Sequence, residues 1–177
     1  MLQCVLLMST LMGSTIWAPS EEAVIHRADD VALISVINVA VRRERNGHIA
    51  QHVSAEISWV TPTSPLRKKQ VIEIRVLGGE LDGIVTAVSG SFRVSVGDKA
   101  LVYLSRHGPF YRPWGLSYGW LPVIEGDDGR AWLKRSLKGL RLVGTDPLGA
   151  SIETPWQSRP LTAQLRYISK LREGHAR

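Results

Sequence analysis

Between Val71 and Leu104 the chain reads VIEIRVLGGELDGIVTAVSGSFRVSVGDKALVYL, short apolar runs separated by Gly-Gly, Asp-Gly, Ser-Gly and Gly-Asp. Val71, Ile72, Ile74 and Val76 form one β-rich run, Phe92, Val94 and Val96 a second, and Leu101, Val102 and Leu104 a third. Alternation with a period of two, punctuated by glycine, predicts antiparallel strands joined by tight turns. Upstream, VALISVINVAVRRE and the run from His48 to Val60 flank Asn46-Gly47, a strong hairpin signal because both residues tolerate positive φ. The return strand should carry Val53, Ala55, Ile57 and Trp59 on one face. Thr61-Pro62-Thr63-Ser64-Pro65 ends it, and Leu66-Arg67-Lys68-Lys69 is a basic loop.

Beyond Leu104 the pattern changes. Seven of the twelve aromatic residues fall between Tyr103 and Trp132, around Gly108-Pro109 and Arg112-Pro113, which mark a loop between strands. Trp114 to Ile124 is a further strand candidate. Gly126-Asp127-Asp128-Gly129 turns into Arg130 to Leu133, and Ser136 to Val143 is the last candidate strand of the sheet. Residues 144–160 hold Pro147, Gly149, Pro155 and Pro160 and read as a linker or draped loop. Leu161, Leu165, Ile168 and Leu171 recur at helical spacing, so residues 161–173 predict an amphipathic helix, with Thr162 as N-cap and Gly174 as stop. Such a helix most simply packs on an open barrel end. The fold class expected is mostly β: a small antiparallel OB-like barrel over residues 24–143, with a long N-terminal hairpin and one C-terminal helix.

The block Val76, Gly78-Gly79, Gly83, Val88-Ser89-Gly90, Phe92, Val96-Gly97-Asp98 and Leu101 to Leu104 resembles a family of small secreted bacterial β-domains of uncharacterised function. The resemblance spans roughly residues 25–143 and rests on structural rather than catalytic motifs. It implies a signal peptide, a long hairpin and a C-terminal helix. Some members of that family accompany matrixin-type zinc proteases. The barrel is also similar to netrin-like inhibitor modules, but their zinc-chelating inhibition needs an N-terminal cysteine framework. This chain has only Cys4, which excludes both an intrachain disulfide and a cysteine zinc site.

Charge and the N-terminus bear on location. Residues 1–129 hold 12 Lys/Arg against 13 Asp/Glu, whereas residues 130–177 hold 10 against 3. The net charge of +6 therefore belongs to the C-terminal quarter, where a solvated helix face is the simplest account and an anionic partner the sharper one. Residues 1–20 carry no charge between Gln3 and Ala18, and Val5 to Met12 has the length of a signal-peptide h-region, too short to span a bilayer. Cleavage is expected after Ala18 or Ser20, giving an exported, periplasmic or extracellular protein without a transmembrane helix.

Candidate chemistry is sparse. Gly115-Leu116-Ser117-Tyr118-Gly119 matches G-x-S-x-G, yet the elbow needs a strand before the serine, a helix after it, and a following acid and histidine. His48 and His52 are four apart, but on a strand they would stand about 13 Å apart, too far for one metal; solvent-facing positions are expected. Glu80, Asp82, Asp98 and Asp127-Asp128 lie beside glycines and read as turn residues. Tyr103, Arg106, Tyr111, Arg112, Trp114, Tyr118 and Trp120 form the candidate ligand-binding set, with core filling as the alternative account. No catalytic residue, metal or cofactor is assigned. The leading expectation is a non-enzymatic binding module for a protein or envelope partner, with nucleic acid disfavoured by export. The alternative is a module that binds single-stranded nucleic acid with the aromatic face and basic tail. A small serine hydrolase using Ser117 comes last.

Overall fold

Two of the three central alternating runs become barrel strands, and a strand the pattern leaves unannounced closes the barrel. The structure, a computed structural model, describes residues 14–17, 20–136, 140–143 and 158–174. Its elements are β1 (Ser14–Trp17), α1 (Glu21–Arg27), β2 (Asp30–Arg43), β3 (Ile49–Val60), β4 (Val71–Leu77), β5 (Gly79–Leu81) and β6 (Ile84–Thr86). Then come β7 (Lys99–His107), β8 (Phe110–Pro113), a 3-10 turn at Leu116–Gly119, β9 (Trp120–Glu125), β10 (Ala131–Lys134), β11 (Leu140–Val143), β12 (Ser158–Pro160) and α2 (Leu161–Gly174).

Strands β2, β3, β4, β8 and β7 form a closed five-stranded barrel, β7 pairing back onto β2. All contacts are antiparallel except β4 with β8, which run parallel through Ile74 and Tyr111. In chain order the strands sit first, second, third, fifth, fourth, the Greek-key closure of an OB-type barrel. The expected fold class holds: mostly β, OB-like, with a long N-terminal hairpin and a C-terminal amphipathic helix. From β7 the sheet continues outside the barrel through β9, β10 and β12.

Each wall strand sorts its side chains by parity. On β7, Ala100, Val102 and Leu104 face the barrel core with Ile34, Val53 and Ile74, all fully buried. Leu101 and Tyr103 face outward into a second core with Val24, Ile25, Leu121 and Ile168. Two bulges reset this parity. Ile37 is the extra residue on β2 and is left half-exposed; Ser58 is the extra residue on β3. Past Ser58 the phase inverts, so Trp59 leaves the face of Val53, Ala55 and Ile57 and packs into the second core, while Val60 takes the inner side.

Several expectations are corrected. The Asn46-Gly47 hairpin is not a two-residue loop. Gly47 N–H donates to Glu44 O, Glu44 N–H to His48 O, and only Gly47 has positive φ, a type I turn closed by a bulge. The run Phe92 to Val96 forms no strand. Arg112 and Pro113 belong to β8 rather than a loop, and Ser158–Pro160 pair with β10 rather than draping. Leu140–Val143 do not join the barrel sheet; they pair in parallel with β1, inside the segment read as a signal. Residues 1–13, with Cys4, and residues 144–157 of the expected linker lie outside the described residues.

Helix α1 was not expected, although Ser20 accepts a hydrogen bond from Ala23 N–H and Glu21-Glu22 follow it, an N-terminal signature. Helix α2 starts at Leu161 directly after Pro160, with Thr162 inside its first turn. It does not plug the barrel end. Ile168, with Leu161, Leu165 and Leu171, covers the outward faces of β7, β9 and β10. Among the described residues no helix is long and apolar enough to cross a membrane.

Gly90 follows β6 in a turn with φ +79°. Gly90→Val forces a β-branched residue into that region, and thermal stability is expected to fall by about 1–3 kcal/mol. An unchanged melting temperature would show that the turn relaxes freely.

Candidate functional site

The seven residues of the candidate set do not form one exposed face. Tyr103 is wholly buried in the second core, and its hydroxyl donates to Glu21 Oε1 at 3.1 Å. Burial, followed by the nearby Glu21 charge, pushes the Tyr103 hydroxyl pKa well above its ordinary value. Tyr118 is buried beside it under the Arg135 guanidinium, 4.4 Å from the ring centroid, with Trp114 at 6.0 Å edge-on. Tyr111 and Trp120 point the other way, into the barrel core. Arg106 is exposed, while Arg112 is half-buried with its Nε shielded from solvent. Arg106 N–H donates to Asp29 Oδ2, and its guanidinium lies 3.5 Å from the buried Asp30 carboxylate. Arg112 stands 5.5 Å over the Phe110 ring.

The outer face of β3 and β4, with the loops after β2 and β7, is where OB-type barrels hold ligands. Here the face is occupied by its own residues. The His52 ring sits between two carboxylates, Nε2 at 2.9 Å from Glu44 and Nδ1 at 3.1 Å from Glu73. Arg75 donates to Glu73 at 2.7 Å and to Glu44 at 3.0 Å, and lies 3.7 Å above the Phe110 ring. Its hydrogen bond holds the Glu73 carboxyl below the ordinary carboxylate range, against the pull of burial. His52 is thus a mostly buried bridge between Glu44 and Glu73, not a solvent-facing residue, and His48 remains exposed without sharing its partners. Among the described residues no group of three His, Cys, Asp or Glu is placed to hold a metal ion.

At one end of the barrel Val94 and Phe92 pack onto the core, with open clefts beside them. The segment from Ser91 to Ser95 crosses that end without a strand partner. Instead the buried Gln51 side chain supplies one: Nε2 donates to Phe92 O at 2.8 Å, and Val94 N–H donates to Oε1 at 3.0 Å. This lays Phe92 against Trp120, ring centroids 5.0 Å apart. On either side of Phe92 lies a cleft. One, of about 480 Å³, runs along Trp120, Pro122, Val123 and Ile124. The other, of about 500 Å³, runs under the β5–β6 hairpin along Gly78-Gly79, Val85 and Val88. Phe92, Arg93, Ser117 and Ser136 border both. Asp82 (φ +52°) and Gly83 (φ +75°) form the tight turn that folds this hairpin over the barrel end.

Ser117 sits in the wall between the clefts, 5% exposed, in the 3-10 turn after Gly115 and Leu116, both left-handed. Its N–H donates to Gly90 O, while its hydroxyl has no hydrogen-bond partner among the described residues. A nucleophile elbow places the serine between a strand and an α-helix with a base at its hydroxyl; here β9 follows the turn. Leaving a hydroxyl buried and unpartnered costs free energy. Ser117→Ala is therefore expected to leave stability unchanged or raise it by about 1 kcal/mol, read by thermal melting. A clear loss would mean the hydroxyl is bonded in solution.

Asp98, Asp82 and Asp128 do serve turns: Asp98 accepts from Ser95 N–H and Asp128 from Arg130 N–H. Glu80 instead meets Arg93 at 3.6 Å in an exposed pair. Gln51 carried no sequence signal of its role, since a glutamine on an alternating strand reads as one more polar position. The fold and its clefts together define an OB-type barrel with an open apolar end. Comparison of the chain with protein-family models, with curated proteins and with solved structures finds no match in any of the three.

Proposed function

We propose that the protein is a non-enzymatic binding module, acting in the cell envelope or outside the cell, that takes its ligand at the apolar barrel end. The observation that carries this reading is the pair of adjoining clefts, each within the roughly 300–1,000 Å³ span of small-molecule sites. Barrel ends are ordinarily filled or plugged, because close packing recovers dispersion energy that a void forfeits. The hydroxyl in the dividing wall has no hydrogen-bond partner among the described residues, which favours holding a ligand over cleaving one. Export rests on the uncharged, apolar N-terminal segment.

Two measurements test the two halves. A product shortened by about 18–20 residues and found outside the cytoplasm supports export; an intact cytoplasmic product removes it. For binding, the neutral fluorophore N-phenyl-1-naphthylamine should brighten with the protein and not with the double variant Ile124→Trp, Val85→Trp, which fills both clefts. Equal response from both proteins would place the probe elsewhere and sink the reading.

The strand order favours a second reading, binding of single-stranded nucleic acid. Against it, Arg75 is already held by two carboxylates and the Phe110 ring is covered by two guanidinium groups. Arg135 and Arg159, from the basic C-terminal quarter, are drawn onto Glu21. A salt-dependent gel shift with an oligonucleotide would restore that reading.

A further inference from the structure

We infer that the ligand of the barrel-end clefts is a single-chain amphiphile with an anionic head group. The inference rests on the clefts being the binding site and adds the chemistry of what enters. Apolar surface predominates in both clefts: Phe92 and Trp120 at the centre, Pro122, Val123 and Ile124 along one arm, and Val85, Ala87 and Val88 along the other, where Thr86, Ser89 and Ser91 interrupt it. Two apolar arms meeting at Phe92 suit a flexible hydrocarbon chain better than a rigid ring system. The lip is apolar too, with Val85 61% and Ile124 41% exposed, so a chain keeps contact with carbon as it leaves the mouth.

The charged side chains bordering the clefts are two cations, Arg93 and Lys99, and one carboxylate, Asp98. Lys99 borders the first cleft, is exposed, and has no ion-pair partner among the described residues. Arg93 borders both clefts, and its only ion pair among the described residues, with Glu80, is exposed and 3.6 Å long. Asp98 keeps its charge while accepting the Ser95 N–H, so the two linings together carry two positive charges against one negative. An incoming carboxylate or phosphate therefore meets two cations at the mouth of an apolar channel. A cationic head meets the same two as repulsion, and a neutral head leaves them unused.

Calorimetric titration of the full chain with dodecanoate and with dodecyltrimethylammonium, both below their micelle concentrations, separates the possibilities. Dodecanoate should bind one to one and at least several-fold more tightly than the cation of equal chain length. Lys99→Glu, an exposed change that leaves the core untouched, should weaken dodecanoate roughly threefold to tenfold, and added salt should do likewise. Ile124→Trp with Val85→Trp, checked for folding by circular dichroism, should abolish binding of both. Equal or tighter binding of the cation would overturn the head-group inference while leaving the clefts as a site. Failure of dodecanoate, the cation and the neutral fluorophore alike would overturn the clefts as well. Sedimentation with phosphatidylcholine vesicles carrying lysophosphatidylglycerol, lost in the same double variant, would identify a single-chain membrane lipid as the source. Dodecanoate binding without sedimentation would identify a free acid.

Discussion

Glu21→Ala is expected to destabilise the protein by about 3–5 kcal/mol, the cost of breaking a buried ion pair from one side. Glu21 joins four elements. Its Oε1 accepts from Tyr103 on β7 and, at 2.9 Å, from Gln164 on α2; its Oε2 accepts from Arg159 on β12 at 2.7 Å. The Arg135 guanidinium, with a side chain only 2% exposed, lies 3.5 Å away. Alanine takes the Glu21 carboxylate away from that buried guanidinium and from the Tyr103 and Gln164 dipoles. The melting temperature should drop by roughly 6–20 °C, and α2 should lose hydrogen-exchange protection before the barrel does. Glu21→Gln keeps the shape and most of the acceptors, so a similar loss in that variant would assign the effect to charge. Pairing Glu21→Gln with Arg135→Met should recover part of the loss, because a desolvated cation no longer faces the neutral side chain. A melting temperature within 2 °C of wild type for Glu21→Ala would show that solvent reaches Arg135.

Gln51→Ala is the second large effect, expected at about 2–4 kcal/mol. The substitution strips Phe92 O and Val94 N–H of their partners at the barrel end. Val94 is itself buried in the barrel core, so its amide has no nearby water to turn to. Phe92 should lose its fixed contact with Trp120, visible as a change in tryptophan fluorescence and as faster exchange of the Val94 amide. Cleft binding should weaken along with stability, since Phe92 borders both arms. Preserved exchange protection at Val94 would mean that other contacts hold the segment and that Gln51 is dispensable.

These two residues also mark where reading the chain stops. Strands β2, β3, β4 and β7 were legible because alternation is a property of near neighbours, and Val53, Ala55 and Ile57 show it plainly. Phe92, Val94 and Val96 alternate just as well and form no strand, because the backbone partner there is a side chain 41 residues away. Strand β8 was hidden by its length of four and by Pro113, which look like loop chemistry until β4 and β7 flank them. Helix α1 had its cap and its acidic first turn in view, but seven residues are too few for periodicity to register.

The candidate site divided along the same line. Tyr103, Tyr111, Tyr118 and Trp120 were legible as an aromatic cluster, yet the wall of the barrel separates them into two cores. Trp59 changes sides through a bulge at Ser58 that no local pattern announces. The clefts had no signature, because an unfilled space is made by what surrounds it.

What the sequence determined by itself was the fold class, the long hairpin, the central strands and the amphipathic C-terminal helix. Each follows from propensity and from apolar spacing within a few residues, interactions the chain carries locally. The tertiary structure alone decided how the barrel closes, which face each aromatic takes, the seat of α2 on the wall, and the joining of Glu21 to Gln164 across 143 residues. Those features depend on partners brought together only by folding, and a burial or a hydrogen bond exists only where both partners meet.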